Sequence, residues 1–298
     1  MSQLRMKVKL KLSNGKHVVC EKLGEESYGT YNGQALVADI LSFEALDWLV
    51  DRINLYRSRK FDRVIMITGD ERSGKSTLAF HLAKKLGFNF ANLAFTTEQL
   101  LERMSTAPDG SVVWLDEAGY ALYSDEWMGK WQRDIAKAFQ IIGMKRYCFI
   151  LCLPNRYFLI KKIRDHRVHY WLHCYTMGVH RGYARLRVAK KTEWSKEPFW
   201  DPVFTIRFPR AEGPEWEAYE KIKRENLDEM LNKPRRSRQE ERNKIRLYRM
   251  IWYLNQKLDF SHEKIAELYG CTRQHITNII REIRDNSELR RQVFSGKP

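Results

Sequence analysis

The chain has 298 residues, 43% of them hydrophobic and 12% aromatic, a composition that folds and excludes an intrinsically disordered class. Lysine and arginine number 53 against 37 aspartates and glutamates, a formal charge of +16, and a surplus of that size favours a polyanionic partner. The length allows one large domain or two ordinary ones, each with its own core.

The opening stretch, MSQLRMKVKLKLSNG, alternates apolar and basic residues and lacks the apolar run of a signal peptide. The most apolar stretch, CFILCLPNRYFLI, is broken by Pro154, Asn155 and Arg156 well short of a membrane span. Cys20, Cys148, Cys152, Cys174 and Cys271 are scattered, with no C-x-x-C pair, as in a reducing compartment with thiols used as small core residues. The expectation is a soluble, cytoplasmic protein with no membrane partner.

In chain order, MKVKLKL, Asn14-Gly15 and KHVVCEKL predict a β-hairpin around a favoured turn dipeptide. SFEALDWLVDRINLYRSRK predicts a helix with Ser42 as N-cap and Phe43, Leu46, Val50, Ile53 and Leu55 mostly on one side. RVIMI is a short apolar run typical of a buried parallel strand. A glycine-containing loop follows, and then the helix STLAFHLAKKL, stopped by Gly87. NLAFTT predicts a second strand, and Thr96 with Gln99 gives a capping-box signature for the helix TEQLLERM. SVVWL predicts another buried strand, ending in Asp116-Glu117. A long amphipathic helix over about Asp125 to Gly143 then leads into the strand RYCFILCL. Strands alternating with helices predict an α/β fold with a mostly parallel sheet.

From about His169 to Pro209 the segments HYWLHCYT, YARLRVAKK and PVFTIRF predict an antiparallel β extension. EWEAYEKIKRENLDEML is a charged helix, and NKPRRSRQEERNK a basic linker. The predicted organisation is an N-terminal β-hairpin and helix over 1–60 and a core with its β extension over 61–210. A helix and basic linker follow over 211–240, and a three-helix unit over 241–298.

Gly69-Asp70-Glu71-Arg72-Ser73-Gly74-Lys75-Ser76 matches G-x-x-x-x-G-K-[ST] in full, in the strand–loop–helix setting the motif requires. Two glycines let the backbone curl so that successive N–H groups, through Thr77, point at phosphates, and the helix N-terminus adds partial positive charge. Lys75 is placed to neutralise the β and γ oxygens, and the Ser76 hydroxyl to ligate Mg²⁺. Because backbone groups do the binding, the side chains of Asp70, Glu71 and Arg72 are expected to face outward.

Asp116, at a strand end, is placed to hold Mg²⁺ through water, and Glu117 to polarise a water for in-line attack on the γ-phosphate. Asp116-x-x-Gly119 also fits a GTPase switch. That reading wants a following N-K-x-D, and neither NKPR nor NKIR has the aspartate. Asn155 falls just past a buried strand, where an amide could sense the γ-phosphate or simply belong to a Pro-Asn turn. Arg164 and Arg167, in KKIRDHRV, are either basic surface or arginine fingers acting in cis or from a neighbouring subunit. His169 and His173 alternate with Cys174 on strand faces, and no paired cysteines close a zinc site.

This order of parts resembles the additional-strand, catalytic-glutamate (ASCE) class of P-loop ATPases. In particular it is similar to the viral and plasmid DNA-pumping ATPases of the FtsK–HerA type and to phage ATPases resembling zonula occludens toxin. The resemblance covers about Arg63 to Val168 and rests on GDERSGKS, VVWLDEA, Asn155 and IRDHRV. Many of those families carry glutamine at the sensor position, so Asn155 is a departure. The resemblance implies a RecA-like P-loop NTPase core, Mg-ATP hydrolysis and often a homo-oligomeric ring.

SHEKIAELYGCTRQHITNIIREIR resembles a helix-turn-helix, with Ala266, Gly270 and Ile276 at the small, turn and core positions. Its second helix would turn Arg273, Gln274, Thr277, Asn278 and Arg281 outward, side chains suited to base edges and phosphates of double-stranded DNA. From Lys233 onward there are 16 Lys/Arg against 8 Asp/Glu, the electrostatic footprint that DNA binding needs. The alternative for this unit is a small bundle used for protein contacts. The leading expectation is a DNA-associated ATPase binding ATP and Mg²⁺, a motor or loader for viral or mobile-element DNA. Its rivals are a nucleotide-switched DNA-binding regulator and a nucleoside or nucleotide kinase.

Overall fold

The computed structural model describes residues 6–31, 34–116, 125–159, 161–190, 197–232 and 238–294. The chain divides into two units, Met1–Asn226 and Leu227–Pro298.

The first unit is built on a ten-stranded mixed sheet. Its strands are β1 (Lys7–Lys11), β2 (His17–Tyr31), β3 (Gln34–Leu41), β4 (Arg63–Gly69), β5 (Leu93–Ala94), β6 (Val112–Leu115), β7 (Cys148–Leu153), β8 (Tyr170–Met177), β9 (His180–Lys190) and β10 (Phe199–Arg207). Across the sheet they run β1-β2-β3-β10-β9-β8-β4-β7-β6-β5. From β8 to β5 every neighbouring pair is parallel. Within this parallel part, β7 lies between β4, which leads into the glycine loop, and β6, which ends at Asp116. Every residue of β4 and of β7 is buried, which explains why both read as unbroken apolar runs rather than alternating ones.

The helices of this unit are α1 (Ala45–Ser58), α2 (Lys75–Lys85), α3 (Thr97–Thr106), α4 (Asp125–Lys145) and α5 (Lys161–His166), and α6 (Pro214–Asn232) begins in it. Alternation along the strands sends Val64, Met66, Val113, Leu115, Phe149 and Leu151 into one core. Leu100 and Met104 of α3 and Ile135, Ala138, Phe139 and Ile142 of α4 complete it. Ile65 and Ile67 point the other way, and α1 and α2 contact β4 on their own account. The Thr96 hydroxyl caps α3 by accepting from the Gln99 N–H at 3.1 Å, as expected. The reciprocal bond goes one residue upstream, Gln99 Oε1 accepting from the Phe95 N–H.

Two N-terminal details differ from expectation. The expected hairpin forms, with β1 antiparallel to β2, but its second strand runs further than the sequence suggests. β2 continues to Tyr31, β3 returns beside it, and β3 pairs in parallel with β10 through Ile40–Thr205 and Leu41–Ile206. The hairpin is thereby joined to the antiparallel extension of β8, β9 and β10. Ser42 does not cap α1. Its hydroxyl accepts from the Glu21 N–H at 2.9 Å and donates to the Glu44 carboxylate, tying the helix entry to β2 instead. At the outer edges of the sheet, β5 has two residues and β1 presents Lys7, Lys9 and Lys11 as its exposed positions.

Among the described residues the second unit is helical, with α7 (Arg238–Gln256), α8 (His262–Tyr269), α9 (Arg273–Asp285) and α10 (Ser287–Phe294). Ile265, Ala266, Ile276, Ile279, Ile280 and Ile283 pack with Tyr248, Ile251 and Val293 into its core. Ser261 and Thr272 cap α8 and α9 through bonds from the Lys264 and His275 N–H groups. Gly270 ends α8 at φ 62°, a left-handed conformation that glycine adopts without penalty. α10 was not anticipated. Among the described residues no helix is long and apolar enough to cross a membrane.

Candidate functional site

The glycine loop leaves the C-terminal end of β4 and enters α2. Gly69 has φ 147°, and a Cβ there would stand 2.2 Å from the Cys174 carbonyl oxygen of β8, so only glycine lets the two strands close up. Gly74 has φ 97° directly before α2, with the Phe208 ring 3.1 Å from where its Cβ would be. Asp70, Glu71 and Arg72 are exposed and Ser73 is buried, so the charged x positions face outward as the motif's chemistry requires.

Lys75 is 7% exposed, and its ammonium donates to the Gly69 and Asp70 carbonyls at 2.8 and 2.7 Å. The cation thus sits inside the curl. The Ser73 hydroxyl is buried there without a hydrogen-bond partner among the described residues, and the first turn of α2 has backbone N–H groups with no intrahelical acceptor. An ammonium, a buried unsatisfied hydroxyl and a helix N-terminus form a donor set that matches a polyphosphate.

Asp116 follows β6 and is 0% exposed. Its carboxylate accepts from the Ser76 hydroxyl at 3.1 and 3.2 Å, joining the start of α2 to the tip of β6. Two side chains of α6 complete the cluster. The Lys223 ammonium is 3.0 Å from Asp116 Oδ2 and 3.3 Å from the Ser76 hydroxyl, and the Tyr219 hydroxyl donates to the same carboxylate. The Tyr219 ring stacks on Trp114 with centroids 5.0 Å apart and an interplanar angle of 13°, and Trp216 packs beside it at 4.8 Å. Burial, and then the negative charge of Asp116, hold the Tyr219 hydroxyl well above its usual pKa. The chemistry of Ser76 and Asp116, a hydroxyl and a carboxylate on adjoining elements, suits a hard divalent cation such as Mg²⁺. Lys223 supplies the positive charge between them here.

Asn155 lies just past β7, next to the loop, since the Gly69 N–H donates to the Pro154 carbonyl at 3.2 Å. Its side-chain oxygen accepts from the Tyr157 N–H at 2.7 Å, capping a single 3₁₀ turn. Arg164 pairs with Asp165 at 2.9 Å, and that bond lifts its pKa against the opposing effect of burial. Arg167 pairs with Asp62 at 3.1 Å and donates to the Phe139 carbonyl. Asp62 precedes the seven-residue strand β4 whose far end carries the loop, so Arg167 lies roughly 20 Å away along the strand direction. Within this chain Lys75, Ser76 and Asp116 come together, Asn155 stands beside them, and Arg167 does not join them. Glu117 lies outside the described residues.

In the second unit Arg273, Gln274, Asn278 and Arg281 are exposed on α9. Thr277 is partly covered, bonded to the Arg273 carbonyl and to His262 Nδ1, each at 3.0 Å. Arg273 pairs with Glu263 at 2.7 Å, and the Gln274 amide donates to Asn278 at 3.1 Å.

Tyr219 and Lys223 were not expected from the sequence. The available signal was spacing: Trp216, Tyr219, Lys223 and Asn226 recur every three or four residues in an otherwise charged helix, marking one inward line. No protein-family model matches this chain, and neither does any curated protein.

Proposed function

We propose that the chain is a DNA-associated ATPase that hydrolyses Mg-ATP. The observation that carries this reading is the bond from Ser76, at the start of α2, to the fully buried Asp116 past β6. It joins a hydroxyl that can ligate metal to a carboxylate that can hold the metal's water, beside an enclosed Lys75. The strand order supports a RecA-like core of the ASCE class, because one extra strand, β7, separates the phosphate-loop strand from the aspartate strand. Bound Mg²⁺ would neutralise the phosphate oxygens at the reacting end of the nucleotide.

The protein's own part is positional. Lys75 exchanges the two carbonyls for phosphate oxygens, and the α2 N-terminus donates its unsatisfied N–H groups. Ser76 and Asp116 orient toward the divalent ion once Lys223 gives way. Asn155 and Glu117 are the candidates for orienting and deprotonating the attacking water. The exposed α9 residues and the basic C-terminal region support DNA as the partner, read in a major groove by Arg273, Gln274, Asn278 and Arg281.

Lys223 favours one second reading, the nucleotide-switched DNA-binding regulator. An ammonium and a divalent ion cannot share the space between Ser76 and Asp116, so α6 has a reason to adopt two arrangements.

The test is Mg²⁺-dependent ATP turnover by wild type and Lys75→Ala, with and without double-stranded DNA across a salt series. Loss of turnover in the variant, with stimulation of wild type by DNA, supports the ATPase. Undiminished turnover in the variant removes the site, and slow turnover indifferent to DNA favours the switch.

A further inference from the structure

Beyond the nucleotide site, β8 and β9 carry an unusual pairing of cations. Trp171 and Arg187 are cross-strand partners, as are His173 and Arg185, so these four side chains share one face of the sheet. Arg185 has a carboxylate: it pairs with Glu26 at 2.8 Å. Arg187, two residues on, has no ion pair among the described residues. Its guanidinium lies 4.5 Å from the Trp171 ring centroid, and that of Arg156 lies 5.1 Å from the same ring. Arg156 also lacks a carboxylate partner among the described residues, its one hydrogen bond going to the Tyr157 hydroxyl at 2.8 Å.

One indole can attract two cations, but it cannot cancel the repulsion between them. Burial, then Arg185 and Arg156, push the Arg187 pKa down to about 10. Among the described residues the carboxylate that offsets the charge on Arg187 is Glu26, which is already paired with Arg185, so neither half-buried guanidinium has an anion of its own there. The neighbourhood shows which kind: Tyr157, 64% exposed, stands between Arg156 and Arg164 at 4.8 and 5.2 Å, and Trp200 packs edge-on against Trp171 at 5.7 Å. Planar forked donors match phosphate oxygens. Tyr157 is the exposed ring beside them, while Trp171 and Trp200 are partly buried against the core; an exposed ring matches an unpaired base, since a base inside a duplex has no free face to stack.

We propose that Arg156 and Arg187, seated on Trp171, form a phosphate-binding site for single-stranded nucleic acid, with Tyr157 as a stacking platform. The site combines the turn after β7 with β8 and β9, and it adjoins the glycine loop through the Trp171 Nε1 bond to the Thr68 hydroxyl at 2.8 Å while using none of that loop's donors.

The experiment is fluorescence anisotropy of the full chain with a labelled oligothymidylate over a salt series, comparing wild type, Arg156→Gln and the double variant with Arg187→Gln. Each phosphate contact on a single strand contributes about 0.7 to the slope of log K against log salt, so the double variant should flatten that slope by about 1.4. Removing mutually repelling charges should leave its melting temperature unchanged or raised. Should the double variant misfold, Arg156→Gln alone must still flatten the slope by about 0.7. The same drop is expected in a background carrying Arg273→Gln and Arg281→Gln, which keeps this result independent of the α9 reading. Unchanged oligothymidylate affinity and slope in the variants overturns the proposal. So does a loss confined to binding of a fluorescent ATP analogue, which would assign the arginines to nucleotide, and so does a wild type that fails to bind the oligomer at low salt.

Discussion

Replacing Lys223 by methionine keeps an unbranched apolar stem, one atom shorter, and removes its charge. The ammonium lies 3.0 Å from Asp116 Oδ2, with the Lys223 side chain 22% exposed and that of Asp116 0%. At an effective dielectric constant of ~20, charges at that distance attract by roughly 5 kcal/mol before desolvation is subtracted. Breaking a fully buried pair costs about 3–5 kcal/mol. Since the lysine keeps some contact with water, and Ser76 and Tyr219 still donate to the carboxylate, the expected loss is nearer ~2 kcal/mol. In a unit of this size that lowers the melting temperature by roughly 4–8 °C. The same substitution opens the space between Ser76 and Asp116, so Mg²⁺ in the presence of ADP should bind about tenfold more tightly, equivalent to about 1.4 kcal/mol. Thermal unfolding in EDTA and in excess Mg-ADP, with a Mg²⁺ titration followed by Trp114 and Trp216 fluorescence, reads both effects. A variant as stable as wild type in EDTA, with unaltered Mg²⁺ affinity, would refute the idea that this lysine holds the cation position.

Gly69→Ala would place a methyl 2.2 Å from the Cys174 carbonyl at φ 147°. Backbone must shift there, and a loss of at least ~2 kcal/mol with weakened ATP binding is expected by calorimetry and nucleotide titration. Tyr219 offers a pH signature. Its pKa is raised in the fold, first by burial and then by Asp116, so its contribution is full below the unfolded value of about 10 and declines as pH rises above it. Denaturation midpoints between neutral pH and strongly alkaline pH should therefore fall less steeply for Tyr219→Phe than for wild type; identical slopes would count against the buried hydroxyl. Arg167→Ala should cost about 1 kcal/mol of stability through Asp62 and the Phe139 carbonyl while ATP turnover per folded molecule stays within a few-fold. A hundredfold loss of turnover would instead make it a finger supplied to a neighbouring subunit.

The glycine loop was legible because its motif constrains single residues at fixed offsets: glycine where a Cβ would strike β8, lysine and serine where the helix begins. Strands β4, β6 and β7 were legible as apolar runs for the same local reason, as were the caps at Thr96, Ser261 and Thr272. The order of strands was not, because which strand lies between β4 and β6 depends on contacts between distant segments. The stretch after Cys20 hid β3 and most of β2. Its charges, together with Gly24 and Gly29, blur the alternation, and β10, the second strand that β3 pairs with, begins only at Phe199. The role of α6 was hidden for an electrostatic reason: a lysine in a charged helix reads as solvated until the carboxylate it meets is known. Arg164 and Arg167 show the converse, cations whose sequence setting suggests catalysis but whose charge is met by Asp165 and Asp62.

The two rims of the sheet bear on how copies of this protein could assemble. One rim is a strand of two residues, too short to template another, and the other bristles with Lys7, Lys9 and Lys11, which repel an identical rim. Continuous β-sheet growth from molecule to molecule is thereby discouraged at both ends. Should copies of this molecule associate, they would have to meet through helix and loop surfaces, which can slide and rock against one another in a way that a shared hydrogen-bond ladder cannot.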